Sequence, residues 1–99
     1  MKEPTTPNRR KHTRYKPKEG VIAEISLSGQ KDPFAPDLVG LVFSESYDGC
    51  GLVLLQSNAL QSGMQCVIKV GNLSPLDAEI VWRTEIDPQV IKIGLRFLE

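Results

Sequence analysis

No stretch of the chain approaches the roughly 20 consecutive apolar residues that a membrane-spanning helix requires. The N-terminus, rich in Lys and Arg, also lacks the apolar segment of a signal peptide. A cytoplasmic location is the expectation. Cysteine is scarce: Cys50 and Cys66 stand sixteen positions apart with no second pair, which fits neither a CxxC redox motif nor a four-ligand zinc site. Both read as small buried apolar residues. His12 is the only histidine; neighbouring cations disfavour its protonated form, and no serine or cysteine is spaced to be activated by it. Without a paired acid and base or a cluster of metal ligands, neither a catalytic nor a metal site is expected. The 99 residues suffice for one domain with one core and leave little for an internal cavity. A ligand therefore belongs on the outside.

Net charge is absent only on average. Residues 1 to 18 hold seven basic side chains (Lys2, Arg9, Arg10, Lys11, Arg14, Lys16, Lys18) against Glu3, a net of +6, whereas the remainder holds five basic against eleven acidic, a net of −6. Three prolines and almost nothing apolar accompany the basic run, the composition of a flexible arm that cannot fold alone. The sequence thus divides into a basic arm, residues 1–18, and a folded domain, residues 19–99.

What is plentiful beyond the arm is alternation with a period of two. Val21, Ala23, Ile25 and Leu27 share one face of a first strand. Loop chemistry follows from Gly29 to Asp37, then a second strand at Leu38–Phe43, a polar turn at Ser44–Gly49, and a third strand at Cys50–Leu55. The turn predicts that the second and third strands pair antiparallel. Ser57 to Ser62 has the length of one helical turn with Ser57 as its cap. A fourth strand spans Met64–Val70. In the fifth, Leu76, Ala78, Ile80 and Trp82 face one way and Asp77, Glu79, Val81 and Arg83 the other; the sixth, Val90–Phe97, is preceded by a turn at Asp87-Pro88. Six short strands without a long helical pattern predict an all-β fold, a small six-stranded antiparallel β-barrel whose closure removes exposed edges. Trp82 and Phe97 read as core residues. Tyr15 either anchors the arm or touches a ligand.

The order of motifs then becomes informative. Arg10 and Arg14 have RxxxR spacing; Ser44-Glu45-Ser46-Tyr47-Asp48-Gly49 is a variant of [D/N]xSxxG; Ala78–Trp82 and Ile93–Phe97 are similar to the closing strands of a PilZ domain. Together they resemble the PilZ family, bacterial receptor domains for cyclic di-GMP, over about ninety residues. The resemblance implies a barrel that binds cyclic di-GMP on its outer surface, with the arm folding over the nucleotide. Arg10 and Arg14 match the motif arginines, Arg9 beside them offers a third contact, and Ser46 and Gly49 match the motif serine and glycine. Ser44 stands where the pattern has Asp or Asn. The chemistry agrees with the carry-over. Arginine forks pair bidentately with phosphate or the guanine Hoogsteen edge, and their flat faces stack on purines. Gly49 permits a positive backbone dihedral or a close approach. Ser44 has one oxygen where Asp or Asn accepts two bonds, so binding is weakened by roughly 1 to 3 kcal/mol rather than forbidden.

The resemblance implies a non-catalytic receptor. The competing reading is a PilZ-like adaptor in motility or surface attachment, with weak or no nucleotide binding because of Ser44, that acts through an unidentified protein partner. Nonspecific nucleic-acid binding by the arm is disfavoured, because the rest of the chain is acidic. Since the sequence stops just after the last strand, an apolar opening and a monomer or weak homodimer are expected.

Overall fold

The computed structural model describes residues 21–98, so the basic arm, with Arg9, Arg10, His12, Arg14 and Tyr15, lies outside the described residues. Six strands form: β1 (Ile22–Ser26), β2 (Leu38–Ser46), β3 (Gly49–Leu55), β4 (Gln65–Val70), β5 (Leu76–Asp87) and β6 (Val90–Phe97). All neighbours are antiparallel, and the sheet closes in the order β1-β2-β3-β6-β5-β4, with β1 paired to both β2 and β4. Among the described residues no helix is long and apolar enough to cross a membrane.

The alternation predicted from the sequence fills the barrel. Ala23 and Ile25 of β1, Leu52 and Leu54 of β3, Ile68 of β4, Ala78 and Ile80 of β5, and Ile91 and Ile93 of β6 are buried in one cluster, with Phe97 packed against it. Cys50 and Cys66 are free thiols buried in the same cluster. β-Branched and leucine side chains on a pleated surface account for this packing.

Three local expectations are corrected. β1 ends at Ser26, which is fully buried and shares a 3.0 Å hydrogen bond with the Ser28 hydroxyl, so Leu27 lies beyond the strand. Ser57–Ser62 contains two turns and no helix. The Ser57 hydroxyl accepts from Ala59 N–H at 3.2 Å, as a cap does, and the Ser57 carbonyl accepts from Leu60 N–H at 3.4 Å, but the turn so closed is not continued into a helix. Leu60, in the same connection, is fully buried and joins the core. Because this connection joins β3 to β4, which are not neighbours in the barrel, Leu60 acts as a plug across one end. Finally, β2 runs on to Ser46 and β3 starts at Gly49, so the polar turn is only Tyr47-Asp48.

Candidate functional site: a glycine-floored cleft on the outer wall

Two interruptions in strand pairing build the site. The β2–β3 register shifts between Val42 and Ser44, and the β5–β6 register shifts between Ile80 and Trp82. An extra residue in one strand reverses which face the following side chains occupy. Strict alternation from Val42, which is buried, would turn Ser44 and Ser46 inward. The bulge at Phe43 instead sets Ser44 opposite Gly51 and Ser46 opposite Gly49, on the outer wall.

The bulge at Val81 does the same to Trp82, which corrects its reading as a core residue: the indole is 41% exposed and sits opposite Gly94. The reason is steric. A Cβ at Gly94 would collide with the indole, so the glycine creates the place where the ring lies. The shift also carries Arg83, read as facing outward with Asp77 and Glu79, to the end of the barrel. There its guanidinium donates to the carbonyls of Ser57 and Leu60, both at 3.2 Å, and to Gln56 Oε1 at 2.7 Å.

Between the bulges lies a floor without side chains. Gly51 of β3 pairs with Gly94 of β6; a Cβ on Gly51 would enter the ring of Phe43, and one on Gly49 would meet the carbonyl oxygen of Leu95. Gly49 therefore serves close approach. The positive dihedral is not used, since positive-φ glycines among the described residues are Gly29, Gly63 and Gly71. The outcome is a shallow cleft of about 200 Å³, with Ser46, Asp48 and Gly49 at one side, Gly51 and Gly94 beneath, and Trp82 and Arg96 opposite.

Charge around the cleft is mixed. Arg96 donates to the carboxylate of Glu79, and Lys92 Nζ lies 4.7 Å from the centre of the Phe43 ring, a cation–π contact. At the hairpin the Ser46 hydroxyl donates to Asp48 Oδ1 at 3.0 Å, and Phe97 N–H donates to the Asp48 carbonyl at 2.9 Å. These bonds hold the tip of the hairpin against the end of β6. Of the residues proposed from sequence, Ser46 and Gly49 line the cleft directly and Ser44 stands beside its floor, its hydroxyl 3.0 Å from the position a Gly51 Cβ would take. Sequence reasoning missed Phe43, Gly51, Gly94 and Arg96. Among the described residues no group of three or more His, Cys, Asp or Glu side chains gathers to hold a metal ion.

A closed six-strand antiparallel barrel of this order, with its recess beside the β2–β3 hairpin, has the PilZ-like fold. Among solved structures the chain is similar to the PilZ domain with c-di-GMP of YcgR from Escherichia coli, at 22% identity and a TM-score of 0.64, over 93% of this chain and 79% of that one. No family model and no curated protein matches the chain.

Proposed function

We propose that the protein is a non-catalytic receptor for cyclic di-GMP, with one guanine seated in the glycine-floored cleft and the basic arm closing over the phosphates. The observation that carries this reading is the pair of bulges. Together they bring Ser46 and Trp82 to the lining of one recess and Ser44 beside its floor, on a fold shared with a domain solved with that nucleotide. A recess of about 200 Å³ takes a flat base rather than the whole dinucleotide, since sites that enclose a drug-sized ligand span roughly 300–1,000 Å³. The rest of the ligand lies over the wall, where Arg9, Arg10 and Arg14 supply guanidinium forks.

Chain length allows this. The Val21 carbonyl accepts from Val42 N–H at 3.0 Å, which places the start of the described chain beside the β2 bulge. Arg14 and Val21 are seven residue steps apart, a span of up to about 25 Å when extended, whereas two strand spacings of about 4.8 Å take β1 to β3. Because opposite charges are brought together, affinity falls as salt rises.

The test is titration calorimetry of cyclic di-GMP into the full chain, with the fluorescence of Trp82, the sole tryptophan, as a second readout. Wild type is expected to bind and Arg14→Ala to bind weakly. Silence of both signals at millimolar nucleotide overturns the receptor reading.

A second reading, an adaptor with weak or no nucleotide binding, is favoured by two features of the same recess: Ser44 where a longer acceptor is expected, and the carboxylate of Asp48 on the rim. Ser44→Asp separates the two, because gain of binding in that variant alone identifies wild type as the adaptor.

A further inference from the structure

The barrel carries a second surface, whose lining shares no residue with that of the cleft. Strand register lays Ile22, Leu41 and Val53 in one row across the outer wall of β1, β2 and β3, and Val39, Leu55 and Val90 in the next row. Four of these are well exposed: Ile22 47%, Val39 56%, Leu41 55% and Leu55 74%. They border an apolar groove of about 290 Å³ beside which Leu55 stands proud. Their exposed side chains form one contiguous apolar patch, the kind of surface that marks an interaction site on a soluble protein.

We propose that this face joins a second copy of the chain in a face-to-face homodimer. Three observations select that occupant. The basic arm offers only Met1 and Tyr15 as large apolar side chains, too few to cover two rows. The rim carries two charges of each sign: Glu24, opposite Val39 and 3.9 Å from Lys69, on one side, and Asp87 opposite Val90 with Lys92 opposite Val53 on the other. A strongly acidic or basic partner therefore gains nothing there, whereas an inverted copy can set Glu24 against Lys92. The composition is also suitable: a standard dimer face of about 800 Å² per partner has an apolar centre and a polar rim, and here the two apolar rows supply the centre and the charged wall around them the rim. Because the barrel is closed, a copy cannot add by strand pairing at an edge and must pack face to face, with Leu55 of one copy entering the groove of the other.

Sedimentation equilibrium of the full chain over rising concentration, in low and high salt, tests this. Wild type is expected to shift towards twice the monomer mass with little dependence on salt. Leu55→Lys is expected to stay monomeric while keeping the wild-type circular dichroism and melting curve, since the side chain is exposed. Glu24→Lys, which leaves the apolar rows intact, is expected to weaken association by about tenfold through repulsion from Lys92. A wild type that remains monomeric at millimolar concentration overturns the proposal. So does association that persists in Leu55→Lys, or one that high salt abolishes, which would instead point to the arm of one copy on the acidic barrel of another.

Discussion

Two stretches of the same outer wall, both carried on β2 and β3, have been finished in opposite ways. At Gly51 and at Gly94 of the neighbouring strand no side chain projects, and the rings of Phe43 and Trp82 lie in the space left. A few residues further along the same strands, Val39, Leu41 and Leu55 rise into solvent. The inner face behind both is ordinary barrel core. A strand can therefore keep its inward side chains constant and still specify a recess or a raised contact face, because the outward set is free of the packing that fixes the inward one. The bulges matter at the recess alone, where they turn serine and tryptophan outward; the raised face follows plain alternation.

The largest effect that can break this contrast is filling the recess. Gly94→Val should drive the Trp82 indole from its seat, cost about 1–3 kcal/mol in urea unfolding and remove cyclic di-GMP binding. Unchanged stability would mean that the ring moves freely and that the floor is not built around it.

The shared inner face is probed next by Cys66. Burial, with a smaller push from the Asp77 carboxylate, raises its thiol from 9.0 to about 11. The neutral thiol is thus favoured in the folded chain, so stability is complete below pH 9 and falls as pH rises towards 11, by about 2–3 kcal/mol in all. Cys66→Ala should flatten that decline in unfolding curves recorded at each pH.

Binding supplies the finer tests. Arg10→Ala and Arg14→Ala should each weaken cyclic di-GMP by about ten- to a hundredfold in calorimetry, the loss of one charge-assisted pair. Ser44→Asp, by restoring a second acceptor beside Gly51, should strengthen it by about tenfold. Smallest of all is Leu55→Lys, which should move the unfolding free energy of the monomer by less than about 0.5 kcal/mol, because the raised face contributes nothing to the core.

The strands and their antiparallel pairing were legible because inward residues repeat every second position, and that repeat is imposed by the core. The orientation of Trp82 was not legible. Extending the Ala78–Ile80 alternation by one step places it inside, and what overrides the step is Gly94, twelve residues later and on another strand. Ser44 and Ser46 were recognisable by spacing, yet their outward direction depends on the bulge at Phe43. One signal for the missed floor was present: Gly51 and Gly94 interrupt strands otherwise rich in Val, Ile and Leu, and a glycine inside a strand marks a bulge or a close approach. Its meaning appears only when the two are seen to be partners. Arg9, Arg10 and Arg14, read from charge and spacing, lie outside the described residues.

Arg83 has a consequence for how the molecule comes apart. Its guanidinium ties three acceptors of the β3–β4 connection to β5, and Leu60 seals the barrel beneath it. A segment without regular secondary structure is thereby stitched into the cooperative unit. Its amide protons should exchange with solvent water on the schedule of the strands, through global rather than local opening.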